Sequence, residues 1–377
     1  MPIFIVFAVV LTVLLLFFGI KLGQGLRRFR IQTKHRPMDT LPAISVCIPA
    51  RNEMHAMTQC LERVLASDYP KLEVIVYDDR SKDDTSILIR SFAHAGVRFV
   101  PGSALPEGWL GRNHALDILA KEASGSLILF MDVDTFIKPS SVSQLVNYME
   151  GESLEMVSVI PTRSDTWRAS VLFGHLRYFW ELVLSKPQAP STSTSAWMIR
   201  RQALTTIGGF APHKANVQPE SQLAAHFGAK AYHCLISNEA LGITYEKKWR
   251  SQVETAKRLL YPMAGGTRVR GLVALIILTL LNLPFFIVMS GLFLDWTLVH
   301  AKSLWLLLAF MALYGVYTNR VWRGKWWLGG LLWPIVIFQE LILFIRSMWG
   351  YARGTITWKG RPIAAAPLRV SEIKIDS

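Results

Sequence analysis

Hydrophobic residues form four long stretches along the chain, and these enclose a central segment of shorter apolar runs. The first stretch, residues 2–20, contains no charged residue and is long enough to cross the roughly 30 Å hydrocarbon core of a bilayer. The other three cover residues 272–294, 304–316 and 327–345. This pattern predicts an N-terminal membrane anchor over residues 1–22, a water-soluble domain over 37–262, membrane helices over 271–350 and a tail over 351–377.

The central segment alternates between short apolar runs and stretches with helical spacing of apolar residues. Strands are predicted at residues 43–49, 72–77, 98–100 and 126–131, and helices at 53–67, 83–94 and 113–122. Strands that alternate with helices of this length predict an α/β domain with a mostly parallel, Rossmann-like sheet. Such sheets bind ligands beyond the carboxyl ends of their strands, so the residues after each strand are the candidate site.

The predicted strand ends are polar and rich in carboxylates. They carry Ala50, Arg51 and Glu53 after the first strand, Asp78 and Asp79 after the second, and Asp132 and Asp134 after the fourth. Because like charges gathered at one edge repel each other, a cation is expected to compensate them. Mg²⁺ or Mn²⁺ carrying a phosphorylated ligand fits these oxygen ligands, and Asp132 and Asp134 share a face of an extended chain. The neighbouring Asp83 or Asp84 is expected to cap the next helix.

Composition and charge favour a membrane protein. The chain has 41 Lys plus Arg against 27 Asp plus Glu, a formal net charge of +14, and 51% hydrophobic residues. Basic residues without acids follow the first stretch, which predicts a retained anchor with its N-terminus outside and a cytosolic domain. The three cysteines, Cys47, Cys60 and Cys234, lack metal-like spacing and are expected to be reduced.

The charges also create a conflict about topology. Three full crossings after the cytosolic domain would place the tail outside, yet the tail carries Arg353, Lys359 and Arg361, which favour the inside. One stretch is therefore expected to be re-entrant or to lie flat, and Pro284 and Pro334 mark the candidates.

Several polar segments carry further expectations. The basic helix predicted at residues 247–258 is expected to attract anionic lipids, which explains the net charge without nucleic acid. Residues 169–185 predict either an interfacial helix beside an acceptor groove or a buried helix of the domain. The segment Ser191–Ser195 predicts a flexible polar loop. Glu340, inside the last apolar stretch, is expected to face protein or a polar cavity.

Four segments together resemble a family 2 glycosyltransferase of GT-A fold. They read ISVCIPARNE, VIVYDDRSKDDT, GWLGRNHAL and ILFMDVDT, in the family's order and spacing, and the GGF at residues 208–210 follows. The segments AGGT at 264–267 and TWKGRPI at 357–363 resemble the membrane-anchored members that glycosylate carotenoids. Members that act on hopanoids and ceramide are more distant relatives with the same layout.

The resemblance implies roles for individual residues. Ala50, Arg51 and Glu53 would border the nucleotide, and Asp78 or Asp79 would bond a uracil-type base. Asp134, with Asp132, would hold Mn²⁺ or Mg²⁺ on the diphosphate. Arg112 stands where relatives have Lys and would contact the donor sugar or the diphosphate. The segment Trp358–Arg361 is expected to fold back toward this site.

The catalytic base is implied less directly. Relatives carry an acidic pair after the GGF segment, and here Glu220 matches its first position while Ser221 replaces the usual Asp. Glu220 is therefore the candidate base, with His213 and His226 as alternatives. An acceptor that arrives as a carboxylate would need no strong base, because its nucleophile is already ionised.

The resemblance implies an inverting, metal-dependent enzyme of the cell membrane. It would move a hexose, glucose from UDP-glucose, to a lipophilic acceptor such as a carotenoid acid or alcohol. Synthesis of a polysaccharide or of another glycolipid is an alternative, as is a catalytically silent membrane protein that binds a nucleotide sugar or a lipid. The chain lacks a Q-x-x-R-W block, which counts against a polysaccharide synthase.

Overall fold

The fold comes from a computed structural model that describes residues 2–26, 41–163, 176–322 and 326–363. A seven-stranded sheet forms the centre of the water-soluble domain. Its strands are β1 (Ile44–Ala50), β2 (Leu72–Asp78), β3 (Val97–Pro101), β4 (Leu127–Met131), β6 (Met156–Ile160), β8 (Ala196–Arg200) and β9 (Tyr232–Ile236). The spatial order is β3-β2-β1-β4-β8-β6-β9. All neighbours pair in parallel except β8, which is antiparallel to both β4 and β6.

The first four strands of the chain pair as a Rossmann-like half, β3-β2-β1-β4, and lie within two residues of the ranges expected from the sequence. Their buried residues form two cores, one on each face of the sheet. The helices of the domain are α2 (Met54–Leu65), α3 (Thr85–Ser91), α4 (Gly111–Glu122), α5 (Ser141–Gly151), α6 (Arg177–Val183), α7 (Arg201–Thr206) and α8 (Pro219–Ala231). The predicted mostly parallel α/β fold is confirmed.

Short strands complete the domain beside the main sheet. The strands β5 (Thr135–Phe136), β7 (Thr162–Arg163) and β10 (Thr244–Tyr245) form a small sheet in the order β5-β10-β7. A two-stranded hairpin, β11 (Thr357–Trp358) and β12 (Arg361–Pro362), follows the last helix.

Six helices form the apolar part of the protein: α1 (Pro2–Gly25), α9 (Trp249–Met263), α10 (Arg268–Ser290), α11 (Leu298–Val321), α12 (Trp326–Leu331) and α13 (Trp333–Ala352). Among the described residues, α1, α10, α11 and α13 are long and apolar enough to cross a membrane. They share a core with α6 of the soluble domain, in which Phe18 and Trp333 both contact Phe179. The amphipathic α9 packs along α13 at the border between the two parts.

The last apolar stretch is two helices instead of one. Pro334 lies in the first turn of α13, where its missing N–H leaves no bond unmade, so it begins a helix and does not break one. The preceding α12 packs closely on α11, because Gly330 approaches Gly315 and the carbonyl of Met311. Pro284 lies inside α10, which continues past it.

The buried carboxylate of Glu340 confirms the expectation for that residue. It accepts hydrogen bonds from the backbone N–H of Leu176 at 2.5 Å and from the indole N–H of Trp180 at 3.4 Å. Both donors belong to the segment that leads into and forms α6, so Glu340 ties a membrane helix to the soluble domain. Of the predicted helix over residues 169–185, residues 169–175 lie outside the described part of the chain. The remainder contains α6, which is buried along its whole length, and ends with Leu184, which is exposed, and Ser185.

Candidate functional site

A row of carboxylates lies at one edge of the sheet because β1, β2 and β4 are neighbours that run in the same direction. Asp78 ends β2, where it pairs with Ala50 at the end of β1. Asp132 directly follows β4, and its backbone N–H donates to the carbonyl of Ser195 at 3.0 Å. The register thus gathers at one edge the residues that the sequence placed on three separate strand ends.

Asp132 and Asp134 line a common cavity, called the carboxylate cavity below, and both side chains are about one quarter exposed. Their cationic partners lie at long ion-pair distances. The Arg112 guanidinium lies 3.4 Å from Asp132, and the Lys247 ammonium lies 3.7 Å from Asp134. Arg51, Glu53 and Arg112 line the same cavity, together with residues from α9 and the β11–β12 hairpin. Hence the cavity joins five of the residues that the sequence predicted for donor and metal binding.

Arg112 is buried and connects three elements. Its guanidinium bonds the carboxylate of Glu220, reaches Asp132, and donates to the carbonyl of Thr194 at 3.0 Å. Burial alone would lower the pKa of this guanidinium, but Glu220 and Asp132 outweigh it and raise the pKa above its ordinary value. Arg112 therefore stays charged beside the cavity.

Glu220 is fully buried at the start of α8, behind Arg112. One of its carboxylate oxygens bonds Arg112, while the other has no hydrogen-bond partner among the described residues. It does not line the carboxylate cavity. The hydroxyl of Ser221 donates to the carbonyl of Pro190 at 3.0 Å. The role of Glu220 as a base stays a prediction, and this geometry also fits a residue that positions Arg112. His213 and His226 lie beside each other, away from the cavity lining.

Asp78 and Asp79 are neighbours in the chain but differ in their partners. The carboxylate of Asp78 accepts hydrogen bonds from the hydroxyls of Ser81 and Ser86, which fold the loop after β2. Asp79 instead bonds the guanidinium of Arg361 at 2.8 Å. Burial raises the pKa of Asp79, although Arg361 and Arg51 oppose this effect. Of the two candidates for a base contact, Asp79 is the one held by a distant segment.

Glu53 is also held from far along the chain. Its carboxylate pairs with the ammonium of Lys359, which donates a second bond to the carbonyl of Arg51 at 2.9 Å. Burial raises the pKa of Glu53, and Lys359 opposes it. The expected return of the tail segment toward the site is thus seen at Lys359 and at Arg361. At the neighbouring α3, Asp84 is the N-cap residue without a side-chain cap bond, and the preceding Asp83 accepts from the backbone N–H of Thr85 at 3.2 Å.

Among the described residues, four carboxylates at the rim have a cationic partner from the protein itself, whereas Asp78 is bonded by serine hydroxyls. The pairs are Glu53 with Lys359, Asp79 with Arg361, Asp132 with Arg112, and Asp134 with Lys247. Within the described ranges, no group of three or more His, Cys, Asp or Glu side chains could hold a metal ion by itself. Two carboxylates nevertheless suit Mg²⁺ or Mn²⁺ when phosphate oxygens complete the shell. Asp132 and Asp134 meet that requirement, because they are accessible oxygen donors in one cavity.

The segment Ser191–Ser195 is a loop, as the sequence predicts, but its burial contradicts the expected flexibility. All five residues are buried. The carbonyls of Thr194 and Ser195 orient Arg112 and the backbone of Asp132, and the Thr194 hydroxyl accepts from Arg177 at 2.9 Å. Small hydroxyl side chains allow the loop to pass beneath the cavity while they satisfy buried polar groups. The sequence signal was its position just before β8, the strand that pairs with β4.

The basic residues of segment 247–258 point to two sides. Lys247 and Arg258 line the carboxylate cavity, whereas Arg250 and Lys257 line a groove beside α13. The expectation that the whole segment serves lipid attraction therefore needs correction for the first two. Glu254 lines both the cavity and the groove, and the helical spacing of 247, 254 and 258 could have identified this inner face.

Comparison with known proteins shows what this chain is similar to. Residues 45–208 match the model of "Glycosyl transferase family 2". The fold resembles a mannosyltransferase from Pyrobaculum calidifontis solved in complex with GDP-Man and Mn²⁺. The TM-score is 0.54 at 17% sequence identity, covering 91% of this chain and 98% of that one. The predicted GT-A fold is confirmed, and residues 45–208 are similar to the glycosyltransferase family 2 domain.

Curated relatives match over part of their length. A 4,4'-diaponeurosporenoate glycosyltransferase of Staphylococcus aureus is 32% identical over 139 residues, 36% of this chain and 36% of the relative. An N-acetylglucosaminyltransferase of Rhizobium leguminosarum is 30% identical over 150 residues, 37% of this chain and 35% of the relative. An uncharacterised Mycobacterium tuberculosis protein is 27% identical, and the chain spans 57% of it. The chain thus spans between about a third and just over half of these relatives.

Proposed function

We propose that the protein is an inverting, metal-dependent hexosyltransferase that moves glucose from UDP-glucose to a lipophilic acceptor at the cytosolic face of the cell membrane. One observation carries this proposal. The cavity that holds Asp132 and Asp134 shares Glu254 with an apolar groove along α13, so a polar donor site adjoins a surface suited to lipid. A carotenoid acid or alcohol fits such an acceptor, because it stays in the bilayer while the donor stays in water.

The residues of the rim have different proposed roles in binding the metal, the diphosphate and the nucleoside. Asp132 and Asp134 would hold Mn²⁺ or Mg²⁺, which stabilises the negative charge that develops on the leaving diphosphate. Arg112 and Lys247 lie beside these aspartates and add positive charge in a partly buried site, where charge stabilisation is strongest. Ala50, Arg51, Glu53 and Asp79 form the edge at which the nucleoside would bind.

Transfer with inversion follows from a single displacement. The acceptor oxygen forms a bond to the anomeric carbon on the face opposite the diphosphate, and the bond between that carbon and the phosphate oxygen breaks. An alcohol acceptor gives up a proton, for which Glu220 is the candidate base. A carboxylate acceptor gives up none, because it attacks in its ionised form. The missing second acid at Ser221 is compatible with such an acceptor.

The groove supports a lipid acceptor by its composition. It encloses about 610 Å³, within the range of roughly 300–1,000 Å³ typical of organic ligand sites. Its floor carries Ile335, Phe338 and Ile342, which are 44–50% exposed, and its rim carries Arg250, Lys257 and Arg346. An apolar chain would lie on the floor while the basic rim attracts an anionic headgroup.

The contacts of the tail support a topology with three crossings. Because Arg361 bonds Asp79 in the soluble domain, the end of α13 lies on the same side of the membrane as that domain. We propose that α1, α10 and α11 cross the bilayer, and that α12 and α13 form a re-entrant pair. The basic residues of the tail, Arg353, Lys359 and Arg361, then lie on the cytosolic side.

The test uses the full chain in nanodiscs with Mn²⁺, labelled UDP-glucose and a lipid extract of a pigment-producing host. We expect one discrete labelled lipid, whose formation stops with EDTA and resumes with Mn²⁺. A ladder of products would instead indicate a polysaccharide synthase. Binding of UDP without hydrolysis or transfer would indicate a silent binder, and the proposal would then be wrong.

A further inference from the structure

The hairpin at residues 357–362 is a short structure with a well-defined turn. Lys359 and Gly360 both have positive φ, 46° and 77°, as a two-residue type I′ turn requires. Ile356 is buried, and its carbonyl accepts from the backbone N–H of Ile363 at 2.8 Å, which closes the base of the hairpin. An isolated two-stranded hairpin of this length is barely stable in water, so its contacts with the domain hold it in place.

Those contacts fall on the rim of the candidate donor site. Lys359 pairs with Glu53, and its backbone N–H donates to Glu254 at 2.9 Å. Arg361 bonds Asp79 at 2.8 Å, and it passes over Gly111, where a Cβ atom would lie 2.9 Å from the guanidinium. The hairpin thus binds the loops after β1 and β2, the start of α4, and α9 at once. Glu53 and Asp79 in those loops lie 306 and 282 positions from Lys359 and Arg361 in the chain.

The hairpin and a nucleotide would need the same space. Trp358 and Lys359 line the carboxylate cavity, which encloses only about 60 Å³. Sites for organic ligands occupy roughly 300–1,000 Å³, so a nucleoside diphosphate sugar does not fit while the hairpin is in place. In addition, the cationic side chains of the hairpin occupy Glu53 and Asp79, two of the residues expected to border the nucleoside.

A buried cation marks the inner side of the hairpin. Arg258 lines the cavity, lies 5.6 Å from the ring of Trp358, and is 9% exposed. Its Nε has no hydrogen-bond partner among the described residues. A diphosphate that displaced the ring would supply that partner and an opposite charge.

We propose that the hairpin is a strap over the empty donor site, which opens when a nucleoside diphosphate sugar binds. In the closed state Lys359 and Arg361 neutralise Glu53 and Asp79. Entry of the donor releases both ion pairs, and its diphosphate meets the metal aspartates on one side and Arg258 on the other. This inference rests on the proposed function, because it assumes that the rim binds a nucleoside diphosphate.

Two variants open the strap by different means. Lys359→Ala combined with Arg361→Ala removes both ion pairs, whereas Gly360→Val keeps every charge and disfavours the turn. Arg353→Ala is the control, because it removes a cation of the same tail that lies against Trp349. The full chain in nanodiscs is titrated with UDP in the presence of Mn²⁺. We expect both strap variants to bind UDP at least about threefold more tightly than the unmodified protein, and the control to match it.

Hydrogen exchange supplies the second measurement. UDP should increase amide exchange in residues 356–363 of the unmodified protein, where the N–H groups of Lys359 and Ile363 are bonded in the closed state. Unchanged exchange despite UDP binding, or weaker binding by both strap variants, overturns the strap and leaves the proposed function standing. Failure of every form, including the strap variants, to bind UDP overturns both.

Discussion

Two pairs of acids lie at the same edge of the sheet, and they are held in different ways. Asp78 and Asp79, after β2, are 4% and 3% exposed. The side chains of Asp132 and Asp134, after β4, are 26% exposed and have cations at 3.4 and 3.7 Å. The hydroxyls of nearby Ser81 and Ser86 fix Asp78, and the distant Arg361 holds Asp79. Asp132 and Asp134 can exchange their partners at little cost, because partly exposed ion pairs contribute little. Ease of exchange distinguishes acids that can bind a metal from acids that hold a loop.

The largest expected effect comes from the exchangeable pair. Asp134→Ala should lower turnover by about 10³-fold, because the metal that stabilises the leaving group loses a carboxylate. Turnover with UDP-glucose and Mn²⁺ is the measurement, and thermal unfolding checks that the protein is folded. Asp84→Asn is the matched control, since Asp84 is exposed on the loop beyond the rim. Full activity of Asp134→Ala would remove the metal assignment.

The second prediction concerns Glu220, which shares its partner Arg112 with Asp132. As a base, Glu220→Gln should slow transfer to an alcohol by about 10²-fold and slow transfer to a carboxylate much less. The measurement is kcat with both kinds of acceptor. Equal losses with the two acceptors would show that Glu220 acts by positioning Arg112. Arg200→Lys is a control for the loss of an arginine contact, because Arg200 pairs with Glu150 at the other end of β4.

For the two acids after β2, we expect one substitution to change the affinity for UDP and the other to change the stability of the protein. In an Arg361→Ala background, where the hairpin no longer engages Asp79, Asp79→Asn should weaken UDP binding about tenfold. Asp78→Asn should mainly lower the free energy of unfolding, by about 1–2 kcal/mol, because Ser81 and Ser86 lose a charged acceptor. UDP titration and denaturant unfolding measure the two effects. The reverse assignment of effects would make Asp78 the nucleotide contact.

Glu181 is an acid of a third kind, because its burial makes the stability of the protein depend on pH. Glu181 is buried in α6 and bonds the side chain of Gln218. Burial outweighs the attraction of Arg177 and raises the pKa of Glu181 to about 7. Because the carboxyl keeps its proton in the folded protein above its unfolded pKa of 4.5, it stabilises at low pH. We expect this contribution, up to about 3 kcal/mol, to decrease as the pH rises from about 4.5 to 7.

The matched variant for that prediction is Glu181→Gln, which keeps the shape of the side chain and cannot titrate. Unfolding of both proteins is followed at pH 5, 6, 7 and 8. The stability difference between them should change through the first three values and stay constant beyond the pKa of about 7. A difference that is independent of pH would show that Glu181 is ionised throughout.

The sequence by itself determined the order of the elements, the four apolar stretches and the acidic strand ends. These features depend on local periodicity and on parallel β–α–β connectivity, which bring successive strand ends to one edge. Asp132 and Asp134 were found in this way, whereas Arg112 was implied by the resemblance to family 2 glycosyltransferases. The pairing of Asp83 with α3 and the protein contacts of Glu340 also followed from rules that act over a few residues or from the cost of burying a charge.

Only the tertiary structure decided which partners these acids have. Lys359, Arg361 and Lys247 lie far from Glu53, Asp79 and Asp134 in the chain, so no local pattern indicates their pairing. The buried Ser191–Ser195 loop looked flexible because its role depends on β4, β8 and Arg112 meeting in space. Pro334 marks in the sequence where the last apolar stretch divides into α12 and α13, but the close packing of α12 on α11 was decided by the fold. Pairing between distant segments depends on packing, and packing is a property of the whole chain.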